Sequence, residues 1–231
     1  MKKSILSKIF VSSYGPFAAL FTPVLTTSAF IAGLLAPVAV FAGFANTAHF
    51  VQPDHFSIGI EPELTLSNGA GVGGTLRYTH GLNDLSNASL LLGTGTGVRK
   101  FRVGSQLTFD FFPDTANQPG IGLALQAVYY RMGFHGAAGA PATENEPTFG
   151  RLELTPMPYV HKNFGSPGGE FEPYLSFPFG WAFTEGQYQS ISQLVLGSMF
   201  KAGEHFRYSL ELGVAVNHTE SYFSTGVMYY Y

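Results

Sequence analysis

The sequence predicts an all-β protein, an antiparallel up-and-down barrel of about ten strands, with eight as the alternative count. Three observations carry that prediction. From residue 55 onward, apolar and polar residues alternate with period two, the pattern of strands with two unlike faces. Turn sequences separate the alternating segments: SNGAG, GLNDLSN, PDTANQPG, NFGSPGG, TEGQ, KAGE and NHTE. Charged residues make up 12 % and aromatics 15 %, with 28 glycines. An average soluble domain is roughly 25 % charged. The chain is too aromatic for disorder and carries no sustained helical stripe.

Other function classes fall away on composition. Cysteine is absent, which excludes a disulfide framework, a thiolate metal site, a cysteine nucleophile and lipoprotein acylation. The net charge of −3 is no footprint for nucleic acid.

Residues 1–45 stand apart from the fold. Lys2, Lys3 and Lys8 form a basic head, and no further charge occurs until Asp54. The stretch between is rich in Ala, Leu, Val and Phe, and Gly43-Phe44-Ala45 offers small residues for cleavage after Ala45. Val40-Phe41-Ala42 offers a second site. This reads as a cleaved secretory signal peptide, although Pro16, Pro23 and Pro37 interrupt it. The competing reading is an uncleaved anchor. Cleavage leaves nine cations against fifteen acids, so residues 46–231 carry near −6.

The strands follow in order. In 55–67, Phe56, Ile58, Ile60, Pro62, Leu64 and Leu66 oppose a polar face containing Glu61 and Glu63, and Asn68-Gly69 supplies a hairpin turn. In 71–80, Leu76 and Tyr78 oppose Thr75 and Arg77. Segment 88–96 is weaker, with Leu90 and Leu92 against Ser89, Leu91 and Gly93. In 101–112, Phe101, Val103, Leu107, Phe109 and Phe111 oppose Arg102, Gln106 and Asp110. Segments 121–131 and 150–161 place Leu125, Tyr129, Leu152 and Leu154 against Gln126, Arg151, Glu153 and His161. In 171–183, Phe171, Leu175 and Trp181 oppose Glu172 and Tyr174, while 189–200 is ambiguous in parity. Segments 205–217 and 221–231 place Tyr208, Leu210, Val227 and Tyr229 against Arg207, Glu211 and Ser224. Each segment is about the ten residues that a tilted strand needs to cross a bilayer.

A soluble barrel turns its apolar face inward and covers its outside with charge, whereas a membrane barrel does the reverse. Here the polar parity is rich in Gly, Ser, Thr, Ala and Gln with sparse mixed charges, which suits a crowded interior. The apolar parity is nearly free of charge, and Phe111, Tyr129, Phe171, Phe183, Phe206 and Tyr229 lie near strand ends, where an aromatic girdle sits. The expectation is a transmembrane barrel.

On these residues the chain resembles the small outer-membrane β-barrels of Gram-negative bacteria over residues 46–231, without pointing to a subfamily. Its ending, with Phe223, Thr225, Val227, Tyr229 and a terminal Tyr231 on alternate positions, is similar to the assembly signal of that family. The resemblance implies an outer-membrane location after export, outer-membrane lipid as surroundings and the barrel-assembly machinery as a transient partner. It carries no cofactor, and a monomer is expected. Pro62, Pro156, Pro158, Pro173 and Pro178 depart from the pattern, since each removes a ladder donor. Bulges, or fewer strands, are the expected accommodation.

With both termini on the periplasmic side, the outer loops fall near 67–71, 96–100, 132–149, 184–188 and 218–220. The long 132–149 connection, with Glu144 and Glu146, reads as a surface tether. Inward charges are Glu61, Glu63, Asp110, Glu153, Glu172 and Glu211 against Arg77, Arg102, Arg151 and Arg207. Ion pairs that plug the lumen are favoured over a selective constriction, because ten strands leave little room once Arg and Tyr fill the inside. The match of Gly69–Gly74 to a dinucleotide fingerprint fails, since a strand follows where a helix is needed. The seven histidines show no ligand spacing, so no metal is expected.

The function expected is structural, surface or narrow-pore, and not enzymatic. Two alternatives remain. One is an outer-membrane hydrolase with rim residues Ser67, His135, Glu185, His218 and Glu220. The other is a soluble periplasmic lipocalin-like barrel that binds a ligand inside.

Overall fold

Alternation forces one face of each segment to pack together, and the segments are long enough to pair along their whole length. The computed structural model describes residues 50–67, 70–133, 148–166 and 169–231. The expected signal peptide over 1–45, the Asn68-Gly69 turn and most of the 132–149 connection lie outside the described residues.

Twelve strands form one antiparallel sheet: β1 Phe56–Thr65, β2 Gly71–Asn83, β3 Ser86–Gly95, β4 Arg99–Phe112, β5 Gly120–Gly133, β6 Thr148–His161, β7 Phe164–Ser166, β8 Gly169–Ser176, β9 Phe179–Thr184, β10 Gln187–Ala202, β11 Phe206–Asn217 and β12 Tyr222–Tyr230. Strand β1 pairs with both β2 and β12, so the sheet closes on itself. Strands β8 and β9 are two halves of one stave, and β7 is a short piece paired to β8. The result is a closed barrel of ten staves in hairpin order. Among the described residues there is no helix.

The near end is the one where β1 begins and β12 finishes. The far end carries the connections after β1, β3, β5, β9 and β11, which are the five expected from the alternation. Glu185 and Gly186, both with positive φ (44° and 82°), make the tight turn between β9 and β10.

Burial follows parity along each stave, with the apolar parity facing out. In β4, Arg102, Gln106, Thr108 and Asp110 are buried, while Phe101, Val103 and Leu107 are exposed. The six aromatics expected near strand ends are all exposed. At the near end several meet one another: Phe56 stacks on Tyr231 at 5.0 Å and Phe206 meets Tyr229 edge-on at 5.3 Å. The ambiguity of β10 has a physical source. Its inner face carries Ile191, Val195 and Met199, so both its faces are apolar. Val195 belongs to an interior cluster with Ala124, Met157, Tyr159 and Tyr174.

The prolines are accommodated differently from the expectation. They neither reduce the stave count nor coincide with the bulges, which lie at 99–101, 110–112, 192–193 and 81–83. Each proline instead sits where the ladder stops on one side. Strand β6 pairs with β9 through Leu152–Leu154 and with β8 through Tyr159–His161, leaving the stretch with Pro156 and Pro158 unpaired on that side. Alternate residues send their N–H groups to the same neighbour, so two prolines at i and i+2 remove consecutive donors toward one stave. Pro178 separates β8 from β9 at the same level. Single bonds bridge the gap: Phe177 N donates to Pro158 O at 3.0 Å and Gln193 N to Pro178 O at 2.9 Å. Likewise the β1–β12 ladder skips Glu61 and Pro62.

Inward glycines face large polar side chains across the ladder. Gly93 is opposite Arg102, Gly122 opposite Tyr159, Gly197 opposite Tyr174 and Gly213 opposite Tyr222. A Cβ on Gly93 would lie 2.7 Å from Arg102 Nε. Gly213→Val and Gly122→Val are therefore each expected to lower stability by about 1–3 kcal/mol, the usual cost of overpacking, and so to lower the urea unfolding midpoint. Gly74→Val is the control, with no atom within 4 Å of its Cβ position, and should leave the midpoint nearly unchanged.

Candidate functional site

The interior is where the sequence placed its charges, and the staves bring them together in three layers. All ten of the expected inward charges are between 0 and 8 % exposed. Charges so far from water are tolerated only when paired and hydrogen-bonded.

In the far-end layer, Glu63 of β1 accepts from Arg102 at 2.8 Å and from Arg99 at 3.0 Å, both on β4. Arg99 also reaches Glu220, in the turn between β11 and β12, at 2.7 Å. Arg151 pairs with Glu153 on its own strand at 2.6 Å and donates to the His218 carbonyl at 3.1 Å.

The middle layer is built on Arg77. Its Nε and Nη2 hold both oxygens of Glu61, at 2.5 and 3.2 Å, and its Nη1 donates to Gln106 Oε1 at 3.3 Å. Gln126 donates to the same Gln106 oxygen at 3.0 Å. Across the lumen, Glu211 accepts from the hydroxyls of Tyr174 and Tyr222, each at 2.5 Å.

The near-end layer turns on a histidine. His161 Nε2 lies 3.0 Å from Asp110 and Nδ1 lies 2.6 Å from Glu172. Tyr159 donates to the other Asp110 oxygen at 2.6 Å. Both ring nitrogens are thus taken by carboxylates, which leaves neither free to bind a metal. Arg207 lies over the Tyr230 ring at 5.1 Å and 3.9 Å from Glu170.

Several of these partners were not among the inward charges that alternation identified. Arg99 is the clearest. Strict alternation from Arg102 turns Lys100 inward and Arg99 outward. The register shift between Arg99 and Phe101 makes Lys100 the extra residue and sets Arg99 opposite the buried Met132. A bulge re-aims a side chain in this way, and period counting does not see it. Glu220 sits in a turn, where alternation has no meaning. Tyr159, His161 and Tyr174 did stand on the polar parity, but a tyrosine there reads equally well as filler.

The rim residues weighed for hydrolysis serve the turns. Ser67 Oγ accepts from Ser221 N at 2.8 Å. Glu220 is held by Arg99, while the His218 backbone, with φ of 46°, offers its carbonyl to Arg151. Glu185 is part of the β9–β10 turn, and His135 lies outside the described residues.

Small voids lie among these side chains. A cavity of about 10 Å³ lies beside Glu63, Arg99 and Arg102, and another of about 10 Å³ lies beside Glu153 and Gln193. Each is about the room of one water. A wider cleft of about 260 Å³ opens at the far-end mouth, over Arg151, Thr184, Tyr188 and Gln189. The assembly-signal residues Val227, Tyr229 and Tyr231 are exposed, and Phe223 shares their outward face of β12.

Together the fold and the filled lumen define a closed ten-stave barrel with a polar, ion-paired inside and an apolar outside. No protein-family model matches the chain, and no curated protein is similar to it.

Removing one partner of a buried pair strands the other charge, at a cost of about 3–5 kcal/mol. Glu61→Leu and Arg77→Leu should each lower stability by that order. The double variant should lose less than the sum of the two, a non-additivity that a double-mutant cycle by urea unfolding measures.

Proposed function

We propose that this chain is an integral β-barrel of a bacterial outer membrane, with a lumen closed by its own side chains and a structural or surface role without catalysis. One observation carries the reading, the inversion of burial. Ile60 is 61 % exposed and Leu90 62 %, while Glu61 between β1's apolar residues is 0 % exposed. Exposed apolar side chains occur on every stave. An apolar surface that encircles the molecule far exceeds the roughly 300–600 Å² patch of an ordinary soluble monomer. It is stable where hydrocarbon replaces water. A soluble ligand-binding barrel has the opposite arrangement, with the apolar face inside.

Closure supports the same reading, because a hydrocarbon surround requires every backbone donor to be satisfied within the sheet, and a closed barrel leaves no edge. The ion-paired layers and water-sized cavities favour a plug over a pore. In this reading the chain is exported, its N-terminal segment is a signal peptide, and the aromatic end of β12 is the feature that the assembly machinery engages. The folded barrel is a monomer in lipid.

Two measurements test this. In mild detergent the protein should run at different positions on a gel with and without boiling, and it should partition with the outer membrane. Release in the soluble periplasmic fraction without a shift overturns the membrane reading. In planar bilayers the wild-type barrel should show no stepwise conductance, and regular steps would overturn the plug.

Substituting Tyr229 and Tyr231 by Ser should lower the amount of folded barrel recovered from the outer membrane. The barrel refolded in detergent should lose the Tyr231–Phe56 and Tyr229–Phe206 ring contacts, about 0.5–1.5 kcal/mol each, and still unfold cooperatively. An unchanged yield would count against the assembly role.

A further inference from the structure

We infer that Lys100 and Arg131 form a docking site on the outer wall for the phosphate of a membrane lipid in the leaflet at the far end. The inference rests on the membrane reading above.

Arginines 77, 99, 102, 151 and 207 belong to the interior. Two of the cations outside it lie at the near-end rim, and both are neutralised. Lys162 pairs with Asp114 at 2.6 Å and Lys201 with Glu170 at 2.7 Å.

The far-end pair is different. Arg131 is opposite Phe101 on the outward face of β5, and its Nε donates to Thr148 Oγ1 at 2.8 Å. That bond fixes the guanidinium and leaves its two Nη groups without a carboxylate among the described residues. Lys100 makes no ion pair among the described residues. It is the extra residue of the β4 bulge, and its chain crosses to β5, where Cε would lie 2.8 Å from a Cβ on Gly133. Gly133 is two residues beyond Arg131 on the same outward face. The bulge that turns Arg99 inward thus lays Lys100 on the outer wall beside Arg131.

Level with Arg131 stands the exposed ring of Phe101, and below it stand Tyr129 and Val103, opposite each other and both exposed. A phosphorylated lipid has the matching order, with a phosphate at the water boundary and acyl chains beneath it. A planar guanidinium with free Nη groups takes phosphate oxygens in pairs, and an ammonium adds a point charge. Cations at this height with no ion pair among the described residues are attracted to an anionic lipid surface. Among the described residues, Glu63, Glu153 and Glu220 of the same end are held inside by arginines, and Glu185 stands in the β9–β10 turn on other staves; Glu144 and Glu146 lie outside the described residues.

The test uses the full barrel inserted into vesicles of phosphatidylcholine alone, or of phosphatidylcholine with a minority of phosphatidic acid. The temperature at which the folded gel band is lost is the readout. Wild type should gain about 3–6 °C with phosphatidic acid, the shift for a ligand at about tenfold its Kd on a chain of this size. Lys100→Gln/Arg131→Gln should match wild type in phosphatidylcholine and lose the gain. Gly133→Val, which displaces Lys100 without changing charge, should lose part of it. No gain in wild type, or an equal gain in the double variant, overturns the site. An equal gain from inorganic phosphate in phosphatidylcholine vesicles overturns the lipid as its source. Failure to insert even in phosphatidylcholine counts against the membrane reading instead.

Discussion

The antiparallel pairing of Phe56–Thr65 with Tyr222–Tyr230 is the interaction on which the rest of the structure depends. Until first and last staves meet, the sheet has two open edges and its polar face is wet. Once they meet, that face becomes an interior from which water is nearly excluded. The seam's ladder is interrupted at Glu61 and Pro62. Side chains hold it from inside. Arg99 grips Glu63 on β1 and Glu220 just before β12, so one guanidinium ties both sides of the closure to β4. Leu66 N adds a backbone bond to Ser221 O at 2.8 Å.

Closure then dictates what the interior can be. A small barrel has no space for a solvated charge, so each inward carboxylate needs donors within reach. The chain meets this with three kinds of donor: arginines for Glu61 and Glu63, tyrosines for Glu211, and a histidine shared by Asp110 and Glu172. Large donors require small neighbours, and Gly93, Gly197 and Gly213 stand directly opposite Arg102, Tyr174 and Tyr222. The glycine content and the buried charge are therefore two sides of one packing solution. In the function proposed above, a lumen filled this way closes the barrel.

The wall divides along the same lines. Its middle is apolar on every stave, its near end carries stacked aromatics and neutralised lysines, and its far end carries Lys100 and Arg131, which make no ion pair among the described residues. The bulge at 99–101 links this outer feature to the inner one, since a single extra residue sends Arg99 to the seam and Lys100 to the surface.

Alternation and composition were enough for the strand class, the ten staves, the two ends and the polar parity. Alternation is a local property, and composition says which face can bear solvent-free burial. The ten charges assigned to the polar parity are all buried, including Asp110, Arg102 and Arg207, which stand beside bulges or a strand end. Which partners those charges have follows from how the closed barrel brings the staves together. Glu63 and Glu220 are distant in sequence from Arg99, and a bulge breaks the parity that would have revealed it. Likewise Pro156, Pro158 and Pro178 looked like separate flaws along the chain. They are one gap, because neighbouring staves bring them to the same level, and a ladder can lose its donors together at one place more readily than at several.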